Sequence, residues 1–293
     1  MVNYLSYVQP KCTALHVVGA IAIGNNDSYD NSAEQTYKQN EENKKFLRRN
    51  AIREDLQIRE GRVTGFATGR GTNFSFASAK PTIILDSEVK KIDPNAYQWL
   101  AKHEIGHIKK SDTFRKPCVI ATATFATGYL VNLARPFIAP MTSHPVLRFG
   151  VEAAAQYLIY KVGQQIVGNK FSEQIELDAD DFAIRNSSIE EKMGGIRQLK
   201  AMQLFQKVVY DLDDAPRMGY PSFSTRIKKI EASLRQEGLF PNDLVERDKI
   251  TQLASLAINL SVEEEAKAFN ISDDDKNQKI KELQEKLIRI HLV

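Results

Sequence analysis

Residues 103–107 read His103-Glu104-Ile105-Gly106-His107, two imidazoles four positions apart with a carboxylate between them. On an α-helix that spacing puts both His on one face. Such a pair can hold one Zn²⁺, and the intervening Glu can take a proton from a water polarised there. Zinc lowers the pKa of water from roughly 15.7 to about 7, which makes it a nucleophile toward a peptide carbonyl near neutral pH. The chain has only five His in 293 residues, and two of them fall in this pentapeptide. The plain alternative is a chance match on a polar helix, with exposed His and a solvated Glu.

Two His do not complete a catalytic zinc site, which has three protein ligands and one open position. No further His occurs until His144, so the short-spaced third His of the longer HExxHxxGxxH pattern is absent. A carboxylate must come from a separate segment. Residues 172–183 read Ser-Glu-Gln-Ile-Glu-Leu-Asp-Ala-Asp-Asp-Phe-Ala. As a helix they place Glu173, Glu176 and Asp180 on one face and Ile175, Ala179, Phe182 and Ala183 inward. Spacing alone leaves both Glu173 and Glu176 open as the third ligand.

The elements that must position these groups are legible around them. Asp93-Pro94 is an N-cap followed by Pro at the first helical position. Tyr97, Leu100, Ala101, Ile105 and Ile108 follow at helical spacing, and Lys109 and Lys110 suit a helix C-terminus. Gly106 is a poor helix former beside a ligand, which predicts another backbone packed close to it. Upstream, residues 73–78 and 82–85 read as two strands separated by the turn signal Ala79-Lys80-Pro81. Residues 25–60 are polar, and their latter half reads as a solvent-facing helix ended by Gly61. Residues 185–240 read as helical, interrupted by an acidic turn at 211–216. Residues 279–293 are amphipathic and read as a docking helix, for this chain or a partner.

With HEIGHIKKSD followed much later by ELDADDFA, the chain resembles the HtpX-type and CAAX-prenyl-protease family of zinc metallopeptidases. That family's second motif runs Glu-x-x-x-Asp. The resemblance implies that His103, His107 and Glu176 bind the metal, that Glu104 is the general base, and that Asp180 orients a ligand by hydrogen bonding. Asp112 matches an Asp that often follows the first motif. Residues 65–69, Gly-Phe-Ala-Thr-Gly, resemble a family strand that would bind extended substrate by main-chain pairing. Residues 220–227, Tyr-Pro-Ser-Phe-Ser-Thr-Arg-Ile, resemble a family motif in which Tyr220 stands where His is usual. Tyr220 or Arg226 would then stabilise the oxyanion. The resemblance covers roughly residues 62–235.

These readings imply an α+β, mostly helical fold: a zincin-like peptidase domain over 61–240 with a small β-sheet preceding the HExxH helix. An N-terminal extension covers 1–60 and a C-terminal helical extension 241–293. An apolar helical hairpin at 118–167 is inserted between the zinc motifs. Its first arm, 118–134, carries no charge in 17 residues; its second is interrupted by Arg148, Glu152 and Lys161. The hairpin reads as a membrane attachment with the active site facing the cytoplasm, against the alternatives of a soluble helical pair and a cytoplasmic protein. The apolar run 13–24 is too short to span a bilayer and reads as a buried segment rather than a signal peptide.

The net charge of +3 and a pI near 8.6 are too mild to point to nucleic acid, and no basic patch with interleaved aromatics occurs. Cys12 and Cys118, the only cysteines, read as buried thiols in a reducing compartment. The expected function is a zinc endopeptidase with one Zn²⁺ per chain, acting on proteins or peptides. The alternative is an inactive zinc scaffold working through protein contacts.

Overall fold

The computed structural model describes residues 35–36, 40–74, 80–115, 145–214, 220–239 and 246–291, with isolated residues between 118 and 133. The apolar run 13–24, Cys12, and all but five residues of 118–134 lie outside the described residues.

Among the described residues four short strands form one sheet: β1 (Gln35–Thr36), β2 (Gln57–Glu60), β3 (Ala67–Arg70) and β4 (Thr82–Leu85), in spatial order β1-β2-β4-β3. β2 runs parallel to β4, with Gln57 opposite Thr82 and Glu60 opposite Leu85. β3 runs antiparallel to β4, with Ala67 opposite Leu85 and Arg70 opposite Thr82. β4 is buried at every position, as its unbroken Thr-Ile-Ile-Leu run requires of a strand covered on both faces. Among the described residues β3 is left on the edge.

Two expectations for this region need correction. The helix expected through residue 60 is α1 (Glu41–Arg49), which ends at Asn50, and residues 57–60 are strand β2. Ala51 takes a left-handed φ of 53° and turns the chain, so that Ile52, Leu56 and Ile58 enter the core beside Leu47. The strand expected from residue 73 does not begin there: Asn73 and Phe74 are outside the sheet, and 75–79 lie outside the described residues. Asn73 is occupied in tethering loops. Its Oδ1 accepts from the Arg53 N–H, its Nδ2 donates to the Ala51 carbonyl, and its N–H donates to Ser111 Oγ.

The helices follow as α2 (Ser87–Ile92), α3 (Pro94–Lys110), α4 (Pro145–Asn186), α5 (Ile189–Tyr210), α6 (Phe223–Gln236), α7 (Arg247–Phe269) and α8 (Asp273–His291). α3 is the central element, packed between the sheet, α4 and α5. It starts as its sequence dictates: Asp93 Oδ1 accepts from the Asn95 and Ala96 N–H groups, and Pro94 needs no partner for a missing N–H. Its end is set by Ser111 in a left-handed conformation (φ 55°). Asp93 is also held by a fully buried ion pair with Arg197 of α5, at 2.6 and 3.0 Å.

Glycines let α3's neighbours close on it. A Cβ on Gly106 would stand 3.0 Å from the Ala179 Cα and 3.2 Å from the Phe182 Cβ, so α4's backbone lies against α3 at that point. That contact is the close approach Gly106 foreshadows. At Gly194, a Cβ would fall 2.3 Å from the Ala96 nitrogen, which brings α5 equally close.

α4 is one continuous helix of 42 residues, about 63 Å long at 1.5 Å per residue. It joins the apolar stretch from 145 to the carboxylate segment at 172–183 without a break. Among the described residues no helix is long and apolar enough to cross a membrane, so the spanning reading of the second hairpin arm is not supported. α8 docks on its own chain, against α7 and α5, with Leu287 buried and Ile280, Leu283 and Ile290 partly so; Ile288 on the same stretch stays exposed.

Candidate active site

His103 and His107 project from one face of α3, and Glu176 projects toward them from α4. His103 Nε2 lies 3.2 Å from His107 Nε2. Glu176 Oε2 is 3.5 Å from His103 Nε2, and its Oε1 is 3.7 Å from His107 Nε2. Ligands about 2.0–2.1 Å from a tetrahedral Zn²⁺ stand about 3.3–3.4 Å from one another. The two imidazole nitrogens stand at about that spacing, each with a different Glu176 oxygen 3.5–3.7 Å away, and one donor atom from each of the three residues lies within 4.8 Å of the others, close enough to share one ion. Among the described residues His103, His107 and Glu176 form the metal-capable cluster, and Glu173 is not part of it.

The outer nitrogen of each imidazole is held by its own carboxylate. His103 Nδ1 is 3.0 Å from Asp180 Oδ1, and His107 Nδ1 is 3.0 Å from Asp112 Oδ2. A carboxylate accepting from Nδ1–H leaves the Nε2 lone pair free for a metal, the arrangement usual around zinc-bound His. Both Asp are buried. Arg226 of α6 clamps Asp180 through two bonds of 2.7 Å, from Nε and Nη2. Arg115 Nη1 donates to Asp112 Oδ1 at 3.0 Å. The reversal at Ser111 is what folds Asp112 back against His107. Position 112 is legible in the sequence as an acid just beyond the helix, but not as the partner of a particular ring.

The electrostatics of the site follow from burial of this charge set. Burial alone would push His103 down, but its bonds to Asp180 and Glu176 raise it to about 9. Burial would raise Glu176, yet the bond and charge of His103, with His107 and Arg226, lower it to about 2. Asp180 is held well below the usual carboxylate range: burial opposes this, and the Arg226 charge with the His103 and Arg226 bonds outweighs it. A metal entering near neutral pH must displace the proton that His103 then carries. Zinc uptake at pH 7 should accordingly release a proton, with apparent affinity rising with pH up to about 9. Calorimetric titration in buffers of different ionisation enthalpy measures that number; zero protons released would contradict the assignment.

Glu104 also faces the cavity, on the side of edge strand β3. A Cβ on Gly69 would stand 2.7 Å from Glu104 Oε2, so a side chain at residue 69 would push this carboxylate out of its present position. That proximity is invisible in the sequence, since it depends on how the sheet docks on α3. The cavity, about 530 Å³, is further bounded by Thr68, Trp99, Gln198, Gln206, Tyr220 and Arg226. Tyr220 lies at its mouth, about half exposed, and burial with the Glu176 and Glu104 charges pushes its hydroxyl pKa up. Trp99, Gln198 and Gln206 were not among the residues that spacing singles out.

The partner of His107 supplies a direct test. Asp112→Asn should weaken zinc binding about 10- to 100-fold while leaving the fold intact. Competition against a chelator of known affinity reads this, and an unchanged affinity would remove Asp112 from the site.

The model of Peptidase family M48 matches residues 61–234, more than half of the chain. The matched span contains His103, Glu104, His107, Glu176, Asp180, Tyr220 and Arg226. No curated protein and no solved structure matches the chain.

Proposed function

The chain belongs to peptidase family M48, a family of metallopeptidases, and from that membership we propose that it is a zinc-dependent endopeptidase of zincin-like design. The observation that carries the proposal is the convergence of His103, His107 and Glu176 with Glu104 beside them on one cavity. When bound there, Zn²⁺ would polarise the scissile carbonyl and make water acidic enough to react near pH 7.

The chain's own groups account for the rest. β3, at the sheet's edge among the described residues, is placed to pair with an extended peptide, which would lie across α3 with its scissile carbonyl near Glu104. Glu104 takes the proton of the attacking water and returns it to the leaving amine. Tyr220 donates a hydrogen bond to the carbonyl oxygen as it gains charge. Arg226 has Nε and Nη2 engaged by Asp180, so we assign it to bracing that Asp, and through it His103, rather than to the oxyanion. Asp180 and Asp112 hold the two imidazoles with Nε2 inward.

The test is digestion of an unfolded protein such as casein by the zinc-loaded chain. Cleavage that stops on chelation and returns with added zinc supports the reading. Cleavage indifferent to chelation would sink it. Within that assay Gly69→Ala should lower kcat on the order of 10²-fold, because the added methyl displaces the Glu104 carboxylate. Unchanged turnover would mean that Glu104 acts from another position.

A further inference from the structure

Each imidazole of the site stands at the end of a chain of two further side chains. For His103 these are Asp180 and then Arg226, supplied by α4 and α6. For His107 they are Asp112 and then Arg115, both supplied by the turn that follows α3. Arg115 has no part in the chemistry above, and neither the HExxH spacing nor the carboxylate segment calls for it.

A local reversal puts Arg115 where it is. Ser111 takes a φ of 55°, its carbonyl accepts from the Arg115 N–H at 3.0 Å, and residues 112–115 continue as one helical turn. Residues three apart on such a turn are neighbours, so Asp112 and Arg115 pair side by side. Asp112 is buried; its Oδ2 meets His107 Nδ1 and its Oδ1 accepts from Arg115 Nη1, each at 3.0 Å. A buried carboxylate whose second oxygen is left unpaired lowers its cost by turning toward solvent, and the imidazole then loses its anchor.

The guanidinium is itself fixed to α4. It stands 5.3 Å from the Phe171 ring centroid, and its Nη1 is 3.9 Å from Asp178 Oδ2. Phe171 and Asp178 are seven residues apart, two turns along one face of the helix that also bears Glu176. Gln174 Nε2 donates to Asp178 Oδ1 at 2.8 Å and orients that carboxylate. A planar guanidinium can donate along its edge and lie against an aromatic ring through its face at once, which an ammonium cannot.

We propose that Arg115 is a positioning residue for the metal, anchored on α4 and acting on His107 through Asp112. The proposal rests on the zinc site of the peptidase reading and not on turnover. It also has a sign that charge alone would reverse. Deleting a cation beside the site of a dication should tighten the metal by Coulomb's law, whereas loss of the Asp112 anchor should loosen it.

The experiment measures zinc affinity of the full-length chain by competition against a chelator of known affinity, for wild type, Arg115→Met, Asp112→Asn and the double variant. Arg115→Met should weaken zinc about tenfold, the low end of what a partner behind a ligand contributes. The double variant should match Asp112→Asn within about twofold, because both changes remove the same support. Arg115→Lys should recover part of the loss, since it keeps a charged donor near Asp112. Lys110→Met removes a nearby cation that pairs with Asp178 and not with Asp112, and it should not loosen zinc. Cobalt(II) bound in place of zinc absorbs in the visible with bands that follow its coordination geometry, and these should move in Arg115→Met. Unchanged or tighter zinc in Arg115→Met, equal loosening in Lys110→Met, or losses that multiply in the double variant would each overturn the proposal. If Arg115→Met does not fold, Arg115→Gln carries the same comparison. Zinc affinities that follow this pattern without casein cleavage would remove the peptidase reading and leave the role of Arg115 standing. Cleavage with a zinc affinity indifferent to Arg115 would remove that role alone.

Discussion

Replacing Glu104 by Gln is expected to lower kcat/KM by about 10²–10⁴-fold, the range a positioned general base contributes, while zinc stays bound. The substitution keeps the shape and removes the proton acceptor. Glu104 is not among the clustered donor atoms, which come from His103, His107 and Glu176. Metal content should therefore remain at one ion per chain. Peptide kinetics together with metal analysis check both halves. Full activity in Glu104→Gln would exclude this carboxylate as the base. Loss of zinc would show that it is a ligand after all.

Replacing Arg226 by Met carries the largest expected effect on stability. Asp180 has no exposed surface, and its carboxylate is held by the Arg226 guanidinium on one side and His103 on the other. Removing one partner of a buried pair leaves an uncompensated charge and costs about 3–5 kcal/mol. In a chain of this size that lowers the melting temperature on the order of ten degrees. Arg226→Lys should recover only part of this, since one ammonium cannot reproduce the two-pronged contact. Thermal melts of the three proteins without metal are the check. Equal melting temperatures for wild type and Arg226→Met would mean that the Arg226–Asp180 contact does not hold the site together.

Much of the site is legible in the sequence because its chemistry is local. The capping Asp93-Pro94, the four-residue His spacing and the Glu176-to-Asp180 turn each depend on one helix's periodicity. The choice of Glu176 over Glu173 is different. It follows from the resemblance, and in the structure from the angle at which α4 crosses α3 at Gly106. Contacts between elements are what spacing cannot supply. Strand β2 was hidden because residues 57–60, Gln-Ile-Arg-Glu, carry a polar pattern that suits an exposed helix as well as a strand. Only the parallel pairing with β4 decides it. The Asp112–His107 bond needs the reversal at Ser111, and the Gly69–Glu104 approach needs the sheet to dock on α3. The C-terminal helices α7 and α8 lie beyond the matched residues 61–234, yet Leu253 and Leu287 belong to the same core as Leu100 and Ile105 of the HExxH helix. Docking of this kind leaves no mark in a motif.

The central claim is that His103, His107 and Glu176 hold one catalytic zinc ion. It is tested most directly by the zinc content of purified wild type, His107→Ala and Glu176→Ala, measured alongside casein cleavage by each. The account predicts one zinc per wild-type chain, loss of tightly bound zinc in both variants, and cleavage by the wild type alone. A wild type that binds no zinc, or a Glu176→Ala variant that keeps both its zinc and its activity, would contradict it.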